Sequence, residues 1–148
     1  MSLTLKRIDG ALAAVAARAE RVVVFVGYLA NAGQVAVVEA ALERHRAIVS
    51  TVVVDPVSGD DGRAYVGADL VAAWPRLLAR ATWALPNLTE VELFTGQTGE
   101  AAVAALRARS LSMASLSLRN WLSCASFKGM KTMGSPPEDT ILWVTPTT

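Results

Sequence analysis

The sequence predicts an α/β domain built on a doubly wound, mostly parallel sheet with helices on both faces. Three observations predict it. Arg21–Val26 (Arg-Val-Val-Val-Phe-Val) and Val49–Val54 are β-branched runs without polar alternation, the pattern of strands covered on both sides. Stretches with apolar residues at helical spacing lie beside and between them. Turn-forming residues follow each run: Gly27-Tyr28 after the first and Asp55-Pro56 after the second.

The elements follow in order. Thr4–Ala19 places Leu5, Ile8, Leu12, Val15 and Ala19 on one helical face. After the first strand, Asn31 is a fitting cap for a helix running to about Arg46, because its side chain can accept a backbone N–H of the first turn. Two parallel strands joined by that helix make a right-handed βαβ unit. Pro56–Arg63 (Pro-Val-Ser-Gly-Asp-Asp-Gly-Arg) reads as a turn-forming loop, and Ala68–Arg80 as a helix that Pro75 bends or divides. Thr82–Leu85 is a short strand. Pro86-Asn87 opens a helix through about Phe94 with Gly96 as its stop, and Glu100–Arg109 is one more helix. From Ser110 to Ser126 six serines are scattered among apolar residues with no period. Lys128–Asp139 reads as loop and Thr140–Val144 as a terminal strand.

Composition narrows the classes. The chain has 148 residues, 53% of them hydrophobic and 18% charged, with a mean hydropathy of +0.38. These values exclude a disordered acidic tail, a collagen-like fibre and a disulfide scaffold. A balance of 14 basic against 13 acidic residues leaves no positive field for nucleic acid. Cys124 is the only cysteine and reads as a small buried hydrophobe, so no intrachain disulfide or cysteine metal cluster is available. His45 is the only histidine, in a charged helical segment where a surface position is expected, which removes a histidine-based triad or zinc site. No signal peptide or membrane-length apolar run is evident, so a cytoplasmic protein with no membrane partner is expected.

In an open α/β sheet, ligands bind beyond the carboxyl ends of the strands. Three groups fall there: Gly27-Tyr28, Asp55 through Gly62, and Asn87 with Glu90. Asp55 emerges at a strand tip, where it serves either a ligand or the loop itself. Asp60 and Asp61 lie between Gly59 and Gly62, where backbone can bend closely around a ligand; clustered carboxylates there suit a divalent ion and phosphate oxygens, and suit a solvated turn equally. Asn87 and Glu90 stand three apart at a helix start. They form either a capping box or an amide–carboxylate pair that organises Mg²⁺ and water around a nucleotide phosphate.

These residues, Gly27-Tyr28-Leu29, Asp55-Pro56-Val57-Ser58-Gly59-Asp60 with Gly62 and Tyr65-Val66, and Pro86-Asn87-Leu88-Thr89-Glu90 with Leu93 and Thr95-Gly96, together resemble the pyridoxal kinases of the ribokinase-like superfamily. The likeness covers roughly Ala19 to Gly96. It implies vitamin B6 salvage: transfer of the ATP γ-phosphate to the 5′-hydroxyl of pyridoxal, giving pyridoxal 5′-phosphate. By that likeness Asp60, Asn87 and Glu90 bind the nucleotide phosphates, Asp55, Asp60 and Glu90 hold Mg²⁺, and Tyr28 and Tyr65 line the pocket for pyridoxal or a related vitamer, where an aromatic face can stack on the ring. Ordinary half-buried packing would use the same tyrosines. A hydroxymethylpyrimidine kinase shares Asp-Pro-Val and Asn-x-x-Glu, but Gly59-Asp60 and Gly27-Tyr28-Leu29 favour the pyridoxal kinases.

The chain also departs from that family. The Gly-x-Gly-Asp segment, whose glycines form the anion hole and whose Asp is the general base, has no counterpart: after Gly99 the only glycines are Gly129 and Gly134. No catalytic residue is therefore assigned. Leu85 stands where the family commonly has threonine before Pro-Asn, and no Val-Thr-Ser-like strand is recognisable in Ser110–Ser126. The expectation is a central part of a kinase domain over residues 1–109, lacking the family's earlier strands, and a divergent segment over 110–148 set off by a change of reading frame after Arg109. A nonenzymatic nucleotide-binding or dimerising module, self-associating through an unfinished sheet edge, is the competing expectation.

Overall fold

The computed structural model describes residues 3–18, 21–109, 115–116 and 140–144. Within them the order is α1 (Leu3–Ala16), β1 (Val22–Val26), α2 (Ala32–Arg44), β2 (Val49–Val54), β3 (Gly59–Asp60), β4 (Arg63–Ala64), α3 (Ala68–Leu78), β5 (Trp83–Ala84), α4 (Leu88–Thr95), α5 (Gly99–Arg109), β6 (Ser115–Leu116) and β7 (Thr140–Val144). Five strands form a parallel sheet in the order β6-β5-β2-β1-β7, and β3 and β4 form a separate antiparallel pair. The α/β class with a mostly parallel sheet is thus the observed one, and Thr140–Val144 is the terminal strand its β-branched run suggests.

The continuous apolar runs form strands because one set of their side chains is sealed. Val22, Val24, Val26, Val52, Val54 and Ala84 are buried beneath α2 residues Val35, Val38 and Ala41 and α3 residues Leu70, Trp74 and Leu77. The helices form one layer, each packed on the next from α1 to α5. The reason is topological. Chain progress β1→β2→β5→β6 runs one way across the sheet, and right-handed crossovers in one direction keep the connecting helices on one face. The expectation of helices on both faces is therefore met on one face alone among the described residues. On the other, Val23, Phe25, Thr51 and Val53 are half-buried and Trp83 is 45% exposed.

Local chemistry sets the boundaries. Asn31 caps α2, its side-chain oxygen accepting the Gln34 N–H at 3.2 Å. Pro75 neither divides nor ends α3, because buried Leu70, Ala73, Trp74, Leu77 and Leu78 hold both halves of the helix against one core. Gly96 ends α4 at φ 69°, in the left-handed region glycine enters without Cβ strain. His45 is not the surface residue its charged neighbours suggest. Its side chain is 17% exposed and its Nε2 lies 3.2 Å from Asp9 Oδ1 of α1, because the end of α2 abuts α1. Pro56–Arg63 is more ordered than a loop: Asp61 (φ 47°) and Gly62 (φ 73°) turn β3 into β4 in two residues. Positive φ at both central positions is the hairpin geometry that Asp-Gly favours. Cys124, Lys128–Asp139, and all of Ser110–Ser126 except Ser115–Leu116, lie outside the described residues.

Candidate active site

Parallel pairing brings the predicted loops to one edge. Val26, Val54 and Ala84 stand side by side as strand partners. The residues that follow them continue the ladder: Asp55 N–H donates to Val26 O at 2.8 Å, and Leu85 N–H to Val54 O at 2.9 Å. Gly27-Tyr28, Asp55–Asp60 and Asn87–Glu90 therefore emerge together beyond the carboxyl ends of β1, β2 and β5.

At this edge α4 grips the loop after β2. Glu90 is completely buried and Asn87 nearly so. The Asn87 side-chain oxygen accepts the Glu90 N–H at 2.9 Å while Glu90 Oε2 accepts the Asn87 N–H at 2.9 Å, a reciprocal capping box. Each side chain has a second contact outside the helix. Glu90 Oε1 accepts the Ser58 N–H at 2.9 Å, and Asn87 Nδ2 donates to Gly59 O at 2.8 Å. A buried carboxylate is tolerable here because two backbone N–H groups and the positive end of α4 all face it. The hairpin is held at two further points: Gly62 N–H donates to Thr89 Oγ1 at 3.0 Å, and Tyr65 N–H to Ser58 O at 3.0 Å. Gly59 is confined as well, since a Cβ there would lie 2.6 Å from Arg63 O and 2.9 Å from Leu93 Cδ1.

The sequence-named residues thus divide by environment. Asn87 and Glu90 form the buried clamp, whose bonds are those of the capping-box reading with two further contacts to the loop. Asp60 is exposed on the hairpin, where its Oδ1 accepts the Asp61 N–H at 3.0 Å, and Asp55 is half-buried at the tip of β2. Tyr28 and Tyr65 are 47% and 58% exposed. Among the described residues no three His, Cys, Asp or Glu side chains converge as metal donors, so Asp55, Asp60 and Glu90 do not form one ligand set. The physical reason is that both Glu90 oxygens are turned to backbone N–H groups. A divalent ion would fit here only if nucleotide phosphates supplied most of its shell, which is the usual habit of Mg²⁺.

Ser58 and Thr89 also fix the loop and were not singled out from the sequence; the Asp61-Gly62 turn was the signal available for the hairpin that involves them. Ser58 is fully buried, and its hydroxyl has no hydrogen-bond partner among the described residues. A cleft of about 290 Å³ opens between the hairpin tip and the end of α4, beside Gly62, Thr89, Leu93 and Gln97. Its lining takes in Gly62, Thr89, Leu93 and Gly96 of the motifs, but none of Tyr28, Asp55, Asp60, Tyr65, Asn87 and Glu90.

A parallel sheet with an acidic loop clamped by a helix start defines an α/β fold of the kind that gathers its ligand-binding loops beyond the strand ends. Solved structures share it. A pyridoxal kinase from Lactobacillus plantarum is 28% identical, with a TM-score of 0.60 over 76% of this chain and 43% of that one. A Bacteroides thetaiotaomicron protein described as a phosphomethylpyrimidine kinase, in a crystal form with pyridoxal, is 25% identical, with a TM-score of 0.58 over 76% and 42%. A pyridoxal kinase from Leishmania donovani, in complex with ADP and pyridoxamine, is 25% identical, with a TM-score of 0.54 over 78% and 43%. The chain spans less than half the length of these relatives. No curated protein matches it significantly. The phosphomethylpyrimidine kinase family model matches residues 1–131, and the chain belongs to that family.

Proposed function

We propose that this chain carries the nucleotide-phosphate side of a vitamin B6 kinase, the family's reaction being γ-phosphate transfer from ATP to the 5′-hydroxyl of pyridoxal. The observation that carries the reading is the clamp. Glu90 and Asn87 fix the backbone of Ser58 and Gly59, and so set where Asp60 presents its carboxylate beside the strand ends. Positioning of charged groups before the reaction is how phosphoryl-transfer proteins gain most of their effect.

In this reading Asp60 faces the phosphates of ATP, and Asn87 and Glu90 act by holding the loop. Asp60 and Asp55 are the residues that would hold Mg²⁺, which would neutralise phosphate charge. Tyr28 and Tyr65 supply aromatic surface to a pyridoxal-like ring from the loops after β1 and β4. Residues 1–109 are taken as the kinase-like part and 110–148 as the divergent one, with the family match running on to residue 131. A cytoplasmic setting and self-association complete the reading. Among the described residues, no helix is long and apolar enough to cross a membrane. A hydroxymethylpyrimidine substrate is the second reading, favoured by the family model that matches.

The test pairs calorimetric titration of Mg·ATP and Mg·ADP with an assay for pyridoxal 5′-phosphate. Nucleotide binding that Asp60→Ala abolishes, with no product, supports a binding module. Product formation that Asp60→Ala abolishes supports the kinase. If neither nucleotide nor pyridoxal binds or raises the melting temperature, the site assignment fails. Hydroxymethylpyrimidine in place of pyridoxal distinguishes the two substrates.

A further inference from the structure

One arginine of the strand-end site is placed differently from those of the helix layer. Arg44, Arg76 and Arg80 lie against carboxylates, and Arg109 donates to Phe94 O. Arg63 is exposed and makes no ion pair among the described residues, although Asp60 is its direct partner across the β3–β4 hairpin. Asp60 turns its Oδ1 instead to the Asp61 N–H at 3.0 Å. We infer that Arg63 is the cationic contact of this site, its guanidinium taking phosphate oxygens of the nucleotide. The inference rests on the nucleotide-phosphate reading given under Proposed function.

Strand register places the group. Residues directly opposite each other in an antiparallel pair project from the same face, so Asp60 and Arg63 share one. Tyr65 N–H donates to Ser58 O at 3.0 Å, which carries the pairing two residues further and puts Tyr65 on that face as well. Gly59 and Ala64, the alternate pair, occupy the other face, where a Cβ on Gly59 would lie 2.9 Å from Leu93 Cδ1 of α4. The face packed on α4 is therefore uncharged, and the opposite face presents a carboxylate, a guanidinium and a phenol. Charge balance gives that guanidinium a role. From Asp55 to Tyr65 the acids Asp55, Asp60 and Asp61 are accompanied by Arg63 as the one basic residue. Carboxylates by themselves repel phosphate, and a guanidinium among them offsets that repulsion. Its planar fork pairs two N–H groups with two phosphate oxygens. A solvent-exposed pair with Asp60 would be weak, so a phosphate competes for the guanidinium on favourable terms. The backbone beneath is already fixed, because Gly62 N–H is held by Thr89 Oγ1 at 3.0 Å, and less ordering remains for binding to impose.

Titration calorimetry of Mg·ATP with the full-length chain, Arg63→Ala and Arg63→Lys reads the contact. Arg63→Ala should weaken binding at least ~10-fold, as the loss of charged hydrogen bonds does. Arg63→Lys keeps the charge without the fork and should fall between the two. Affinity should also depend less steeply on salt in Arg63→Ala than in the unaltered chain. Both variants should melt within about 2 °C of it, since the side chain is exposed. Equal affinity and salt dependence in Arg63→Ala overturn the inference and leave nucleotide binding standing. A loss that accompanies a lowered melting temperature, and that lysine does not relieve, makes the role structural and also overturns it. The phosphate of pyridoxal 5′-phosphate is the other source of the same chemistry; a loss confined to titrations with that compound rejects the nucleotide contact. If the unaltered chain does not bind Mg·ATP, the nucleotide reading itself fails and this inference goes with it.

Discussion

Two polar regions of this molecule look alike as lists of bonds and differ in what they are worth. The first is the clamp of Asn87 and Glu90 on Ser58 and Gly59. The second is the ion-pair lattice over the helix layer, where Asp9 meets Arg44 and His45, and Glu39 and Glu43 meet Arg76 and Arg80. In the clamp every partner is buried and most are backbone N–H groups, so removing one side chain strands others away from water. In the lattice the arginines are 43–60% exposed, and water can take the place of a lost guanidinium, though their partners Asp9 and Glu39 are only 14–16% exposed. Polar contacts therefore specify the geometry of the strand-end loop but only decorate the helix layer.

That difference can be broken from its strongest point downward. Glu90→Ala leaves the Ser58 and Asn87 N–H groups without an acceptor, at a cost of about 2–5 kcal/mol. At roughly 3 °C per kcal/mol for a domain of this size, calorimetry should show a loss of about 6–15 °C. A loss below 2 °C would remove the clamp from the account. Gly62→Ala, at φ 73°, should cost about 1–2 kcal/mol by straining the hairpin, measured as a lower urea midpoint with an unchanged slope. Arg76→Ala should change stability by less than about 1 kcal/mol, and the change should shrink in high salt; a larger or salt-insensitive effect would mean the lattice is not surface-like. The smallest effect has the opposite sign. Ser58→Ala deletes a buried hydroxyl with no partner among the described residues, so the folded protein should be unchanged or more stable by up to about 1 kcal/mol. A clear destabilisation would reveal a partner for that hydroxyl.

Much of the fold was legible in the sequence. The apolar runs at β1 and β2, the Asn31 and Asn87 caps and the Gly96 stop stand where local chemistry puts them, since each depends on residues within one helical turn or one strand. The hairpin was less legible because Asp61-Gly62 is flanked by two-residue strands too short to show alternation. The closeness of His45 to Asp9 was illegible for another reason: the two are 36 positions apart, and only the packing of α1 on α2 joins them.

The candidate site divides the same way. The sequence named Asp55, Asp60, Asn87 and Glu90 and offered a capping box beside a ligand role for the last two. It could not show that Glu90 spends both oxygens on backbone, one of them on Ser58 across 32 positions. By itself the sequence determined the α/β class, the strand-end location of the polar loops and the caps, because periodicity and capping are short-range properties of the chain. Tertiary structure alone decided which carboxylate is buried and which is open to a ligand, and that the described helices share one face of the sheet. Burial and crossover handedness depend on residues far apart in sequence that no local pattern encodes.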